Sequence, residues 1–177
     1  MACAMTIETE RLLIEEADAD DRATIDGLVA LFNSNPEFHR ASGERVIWAA
    51  ADLENYLADD PNPRFPDLEA HEYTVRERAT GRIVGTVELI APIPSERINW
   101  IALMMIQGDR QGAGLGSEVV AAIEHELFAA QWTEIRAFVH RDTVLAYQFW
   151  TRAGYLPVGE ALSASGKPGM VLRKPRP

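Results

Sequence analysis

The stretch Ile101-Ala102-Leu103-Met104-Met105-Ile106-Gln107-Gly108-Asp109-Arg110-Gln111-Gly112-Ala113-Gly114-Leu115-Gly116-Ser117 decides the fold of this chain. An apolar run ends at Ile106 and a short polar loop follows. Alternating glycines then open a helical pattern marked by Val120, Ile123 and Leu127. Glycine lets the main chain approach a ligand closely, and the first helical N–H groups have no intrahelical partner. Together with the helix dipole they form an anion site suited to phosphate or pyrophosphate. The same glycines also serve in a turn that packs helix on strand without a ligand, so the neighbouring residues must arbitrate.

Other motif readings fail on those neighbours. In a dinucleotide-binding fingerprint the glycines follow the strand almost directly, whereas residues 107–111 intervene here, although Asp142 sits near where a ribose-binding acid belongs. A P-loop ends in Gly-Lys-Ser/Thr, and Gly116-Ser117-Glu118 has no lysine. His140-Arg141-Asp142 imitates a kinase catalytic loop, but the downstream Asn and the Asp-Phe-Gly are missing. Glu124-His125-Glu126 has no second His one turn on, so His125 reads as a solvated helix residue and no metal site is expected.

Working outward, the spacing predicts a strand over 11–15, a cap at Asp20 or Asp21, and a helix carrying Ile25, Leu28, Val29 and Phe32 that ends at Asn33-Ser34-Asn35-Pro36. A second helix is expected over 50–57, and a proline-rich internal loop over 59–66. Runs 73–77 and 83–90 flank the turn Ala79-Thr80-Gly81-Arg82 as a hairpin. Pro92 and Pro94 precede a third run, 97–106. Past the glycine loop and its helix come a strand over 134–139, a helix over 143–153 and further strands from Tyr155. Antiparallel and βαβ parts are mixed, so the class is α/β (α+β) with a mostly antiparallel sheet.

The chain has 177 residues, 47% hydrophobic and 25% charged, the composition of one ordinary globular domain spanning 1–177. No apolar run approaches the roughly 20 residues that cross a bilayer, and the N-terminus lacks a signal-peptide pattern. Cys3 is the only cysteine, so no internal disulfide forms and the cytoplasm is the expected compartment. Seventeen Lys and Arg against 27 Asp and Glu leave a net charge of −10. That balance disfavours nucleic acid and attracts cations, protonated amines among them.

Gln111-Gly112-Ala113-Gly114-Leu115-Gly116 resembles the Q/R-x-x-G-x-G/A signature of the GNAT superfamily of acyl-CoA-dependent N-acetyltransferases. Residues 143–155, with Thr143, Ala146, Phe149, Trp150, Gly154 and Tyr155, resemble its second signature, N-x-x-A-x-x-F-Y-x-x-x-G-F. Residues 7–14 resemble its usual first strand. The resemblance implies a mixed sheet whose two central parallel strands, here 97–106 and 134–139, splay apart between flanking helices to admit the pantetheine of acetyl-CoA. It implies that amides of Gln111, Gly112, Ala113, Gly114, Leu115 and Gly116 hold the pyrophosphate. Met104, Met105 and Ile106 would then offer main-chain groups to the pantetheine and the reacting carbonyl, with Thr143 and Arg152 beside the cofactor. Arg152 reads equally as an exposed helix arginine.

The implied reaction moves an acetyl group to a primary amine of a small molecule or peptide. The amine must first lose a proton, since a lysine-like amine has a pKa of about 10.4. Some members carry a glutamate at the position of Trp100, and this chain does not. Glu88, Glu96 and His140 are the remaining candidates, and Glu88 is preferred because a carboxylate in the apolar run 84–90 that points into a cleft has a raised pKa. Read otherwise, Glu88 is a water-exposed sheet residue. Trp150 replaces the tyrosine that often protonates the departing thiolate. Tyr147, three residues earlier, is the candidate substitute, or else packs in the core. Thr143 replaces the usual Asn and keeps a hydroxyl able to cap the helix. Such folds commonly form homodimers. A non-catalytic acyl-CoA-binding or regulatory protein of the same fold is the alternative.

Overall fold

The computed structural model describes residues 5–58 and 68–177, so Cys3 and the expected proline loop over 59–66 lie outside the described residues. The elements run β1 (Ile7–Glu8), β2 (Leu12–Glu16), α1 (Arg22–Asn33), α2 (Pro36–Ser42), α3 (Ala50–Leu57), β3 (Glu69–Glu77), β4 (Ile83–Ala91), β5 (Ile98–Ile106), α4 (Leu115–Ala129), β6 (Glu134–His140), α5 (Val144–Arg152), β7 (Leu156–Leu162) and β8 (Pro168–Pro175). They form one sheet in the order β1-β2-β3-β4-β5-β6-β8-β7. Every neighbouring pair is antiparallel except β5 with β6.

Most expected elements are present, with two differences. The first strand is a short hairpin of β1 and β2. Helix α2 was not anticipated, because Pro36 reads as the end of α1. The proline stands at the first position of a new helix, where its fixed φ suits the turn and its missing N–H costs nothing. Of the two expected caps for α1, Asp21 is the one used, accepting from the N–H groups of Ala23 and Thr24.

Two apolar layers cover the sheet. On one face α4 sets Val119, Val120, Ile123 and Leu127 against Ile14, Val75, Val87, Ile101 and Ile135. On the other, Ile25, Leu28 and Phe32 of α1 and Leu53 of α3 meet Leu103 and Met105. Strand β5 serves both layers because it carries a bulge: Leu89 opposes Ile101 but Glu88 opposes Leu103, leaving Ala102 over. An inserted residue reverses the alternation of side chains. Ile101 therefore faces the α4 layer, whereas Leu103 and Met105 face the α1 layer.

The turn after β5 is fastened to the end of α1. The Gly108 N–H donates to Ser34 Oγ at 2.9 Å, and a Cβ at Gly108 would lie 2.6 Å from the Ser34 main-chain oxygen. Gly108→Ala is expected to cost about 1–3 kcal/mol, lowering the melting temperature by about 2–4 °C per kcal/mol in differential scanning fluorimetry. An unchanged melting temperature would show that this contact yields freely.

Candidate functional site

The parallel ladder between β5 and β6 covers only residues 98–101 and 134–137. Beyond it β5 stays with β4 and β6 with β8, so the strands part as expected. The gap opens into a cleft of about 930 Å³. Met104, Met105 and Ile106 line it from β5, Asn35 and Phe38 from the α1–α2 side, and Thr143, Val144 and Leu145 from the start of α5. Val144 and Leu145 are 61% and 81% exposed, apolar surface suited to being covered by a bound molecule.

Gln111 also lines the cleft and begins the glycine loop. Gly112 and Gly114 have φ of +77° and +80°, the left-handed region that glycine adopts without strain. No atom lies within 4 Å of a Cβ built at Gly112, and at Gly114 only the Arg11 guanidinium does, at 3.6 Å. Backbone conformation, rather than crowding, calls for glycine at both positions, and it leaves bare main chain at the N-terminus of α4. Gly116 differs, since its Cβ would stand 3.3 Å from the Phe149 ring, so it sets the approach of α4 to α5.

Two sets of contacts hold this loop. The Gln111 side-chain amide donates to Asn35 Oδ1 at 2.8 Å and to the Ile106 carbonyl at 3.1 Å, and Asn35 Nδ2 donates to that same carbonyl at 3.2 Å. Gln111 is thus a staple between loop, strand and α1, and the Ile106 carbonyl is already engaged. On the far side Arg11 donates to the Ala113 carbonyl at 3.0 Å and to Glu118 at 2.7 Å. Arg11 and Asn35 escaped the sequence reading. Each reaches the loop from a distant segment, and Asn35 before Pro36 signals only a turn.

Thr143 and Arg152 differ in part from expectation. The Thr143 hydroxyl donates to the His140 carbonyl at 2.6 Å and accepts from no N–H of α5, so it does not cap that helix. Arg152 pairs with Gln148 at 3.3 Å and lines a separate groove of about 260 Å³ with Ser117 and Lys174. It stands beside the first turn of α4, outside the main cleft. Tyr147 is 37% exposed, so the core-packing account fails for it and holds instead for Trp150, which lies edge-on to Tyr155 at 4.8 Å.

Glu88 projects toward the α1–α3 side, beside the bulge. It stands directly opposite Glu72 in the β3–β4 ladder, and the Tyr56 hydroxyl lies 3.3 Å from a carboxylate oxygen of each. Desolvation pushes the Glu72 carboxyl up to about 8, with the Glu88 charge adding to it and the Thr86 and Tyr56 hydroxyls opposing. Desolvation also raises Glu88, the Glu44 charge raises it further, and the Tyr56 hydrogen bond opposes. The water-exposed reading of Glu88 therefore does not hold. Glu44 also acts on His140, whose pKa burial lowers, and the His140 ring meets Phe38 of the cleft at 6.4 Å. Glu44, Tyr56, Glu72, Glu88 and His140 are not among the residues that line the cleft. Glu96 sits exposed in the turn before β5, at the opposite end of that strand from the cleft, and drops out as a base. Neither Glu72 nor Tyr56 was singled out from the sequence. Among the described residues no group of three His, Cys, Asp or Glu is placed to hold a metal ion, and no helix is long and apolar enough to cross a membrane.

This fold recurs in solved proteins. An acetyltransferase of the GNAT family from Bacillus anthracis is 14% identical, with a TM-score of 0.74 and coverage of 97% of this chain and 99% of that one. Spermidine N-acetyltransferase from Vibrio cholerae, solved with CoA and spermine, is 15% identical, with a TM-score of 0.73 and coverage of 95% and 97%. A Salmonella typhimurium acetyltransferase that modifies the N-terminal serine of ribosomal protein L7/L12 is 12% identical, with a TM-score of 0.77 and coverage of 97% and 99%. At such identities the likeness is one of fold. No curated protein matches the chain. The family model for the acetyltransferase (GNAT) family matches residues 34–155, from the end of α1 through the splayed strands to the close of α5, and the chain belongs to that family.

Proposed function

We propose that this protein is an acetyl-CoA-dependent N-acetyltransferase acting on a primary amine of a small molecule or peptide that carries further positive charge. The observation that carries this reading is the cleft at the parting of β5 and β6, where Gln111 begins a bare main-chain cradle, with a buried carboxylate pair beside the bulge of β5. The residues present fit the cofactor: left-handed Gly112 and Gly114 leave amides uncovered, Leu115 and Gly116 open α4, and Val144 and Leu145 offer an apolar flank. Met104 is the main-chain pairing position for an extended arm, because the Ile106 carbonyl is engaged. Arg152 beside Ser117 supplies positive charge on the phosphate side. The reading takes the whole of 1–177 as one domain and places it in the cytoplasm. The exposed apolar residues Leu156, Val158 and Leu162 on edge strand β7 support a homodimer.

Bound acetyl-CoA supplies an acetyl thioester. Glu88, its carboxyl raised by burial, takes the proton that the ammonium of the acceptor must lose. Tyr56 and Glu72 hold Glu88 in place, with Glu72 largely protonated at neutral pH. The N–H of Met104 or Met105 faces the charge that develops on the carbonyl oxygen. Tyr147, exposed on α5 within a turn of Thr143, returns a proton to the leaving sulfur. Glu44 and Glu88, near enough for their charges to act on one another, favour an acceptor with a second cationic group.

The cradle is tested by a matched pair. Gly114→Asn and Gly114→Asp both tolerate a left-handed backbone, but only the aspartate adds charge. In calorimetry Gly114→Asp should lower CoA affinity at least about tenfold more than Gly114→Asn. Equal affinities would remove the pyrophosphate assignment.

The chemistry is tested by CoA release against a panel of monoamines, diamines and amino-terminal peptides. Diamines should give the highest kcat/KM, falling as salt rises. Glu88→Gln should lower kcat on the order of 10²–10⁴-fold. The wild-type rate should climb with pH as Glu88 loses its proton, above the usual carboxylate range, and Glu88→Gln should abolish that limb. Tyr147→Phe should lower kcat by at least about tenfold with CoA affinity unchanged. Tight CoA binding with no turnover on any amine would instead mark a non-catalytic acyl-CoA-binding protein, the reading that Trp150 in place of tyrosine favours.

A further inference from the structure

On the face of the sheet away from α4, register carries a row of side chains across three strands. Ile90 of β4 opposes Trp100 of β5, and Trp100 opposes Arg136 of β6. Their chain neighbours Leu89, Ile101 and Ala137 pack in the α4 layer, so these three side chains point to the other face. Each is half-buried. Among the described residues Ile90 and Trp100 belong to neither apolar layer of the core. An indole left partly in water on a sheet face is a large apolar area without a partner.

What stands next to the row says what covers it. Glu88 lies two residues before Ile90 and shares its face, which makes it the diagonal neighbour of Trp100 at about 7–8 Å, a spacing that long and aromatic side chains bridge. Trp100 also stands one residue before the ladder of β5 and β6 ends. Its opposite edge is closed: the Arg136 guanidinium lies 5.6 Å from the indole centroid and is tied to Glu134 at 2.5 Å, which holds the ring in place. Phe138, next on that face of β6, is drawn over β8, where a Cβ at Gly169 would collide with its ring. The floor beside Glu88 is therefore Ile90 with a flat indole. A carboxylate able to accept N–H donors stands at one end, and a guanidinium that can only donate stands at the other.

We infer that Trp100 determines specificity for the acceptor, taking a flat apolar or aromatic body while the amine of that molecule meets Glu88. The inference rests on the proposed role of Glu88 for the amine, and on the sheet face for the body. It divides amines of equal charge by shape: an aromatic ring covers the indole, and a thin alkyl chain leaves much of it in water.

The test compares two monoamines, 2-phenylethylamine and n-butylamine, on the full chain. Calorimetry with and without CoA reads binding alone, and CoA release reads turnover. 2-Phenylethylamine should bind at least about fivefold more tightly, and its kcat/KM should be higher by a similar factor carried in KM. Trp100→Ala should bring both ratios to about one, and Trp100→Phe should keep most of the preference. Glu88→Gln should weaken both amines alike and leave the binding ratio in place. CoA affinity should be unchanged in the Trp100 variants. If Trp100→Ala loses CoA affinity through misfolding, the same ratio is read in Trp100→Leu, where it should fall at least about threefold. Equal binding of the two amines by the wild type, no binding of either at about 10 mM, or a preference that survives loss of the indole would each overturn the assignment. A binding preference that Trp100→Ala removes, with neither amine turned over, would support the subsite and overturn the transfer reading.

Discussion

The parallel ladder of β5 and β6 stops after residue 101, and most of the site follows from that stop. A strand edge inside a sheet is normally paired, and leaving one open within a core costs unmade hydrogen bonds. The bulge at Ala102 sits at this point. It turns Leu103 and Met105 toward α1 while β5 keeps its ladder with β4, so the strand remains anchored as its other edge becomes free. β6 in turn is held by β8 along its whole length, from Glu134 to His140. Each diverging strand has one complete neighbour, and that is what makes the gap stable.

An open edge also has to be kept from closing on the wrong partner. Helices α1 and α2 cover the cleft on one side, and Asn35, at their junction, fixes the carbonyl that ends β5. Gln111 reaches the same carbonyl from the loop, so one oxygen gathers helix, strand and loop. Arg11 brings the N-terminal hairpin to the opposite side of the glycine turn. The Glu118 carboxyl is held below its ordinary value, desolvation opposing the combined hydrogen bonds of Thr9 and Arg11 and the Arg11 charge. A loop with two left-handed glycines has little stiffness of its own. Its order comes from these neighbours, and a main chain ordered in advance binds at lower entropic cost.

How much of this was legible depended on the range of the signal. The strand, glycine loop and helix from Ile101 to Leu127 were readable because turn chemistry and helical periodicity are local. Helices α3 and α5 were readable for the same reason, and the Asp21 cap was one of two residues named. What escaped was set by register. Counting back along the hairpin from Arg76 opposite Ile83 puts Glu72 across from Val87. A bulge between Val75 and Arg76 moves the register by one and brings Glu72 opposite Glu88. No local pattern announces that bulge, and none announces the one at Ala102. Glu88 was therefore found as a single carboxylate in an apolar run, while its partner and Tyr56 were not. Proline misled at position 36 because one residue type both ends helices and begins them.

The pairing of Glu72 with Glu88 carries a consequence for binding. Carboxylates directly across two strands repel, and burial penalises each charge separately. The pair lowers that cost by keeping a proton, as the raised Glu72 pKa of about 8 expresses. That arrangement stabilises the fold below the ordinary carboxylate range and weakens it as pH rises through 8, since the unfolded chain releases the proton more easily. A cation entering beside the pair reverses the balance, because it stabilises both carboxylates and lowers their pKa values. On the proposed reading, binding of a cationic amine and release of a proton from the pair are linked. Glu72 is the carboxyl that gives up that proton, and the same cation lowers the pKa of Glu88 opposite it, so the charge that recruits the substrate also acts on the base.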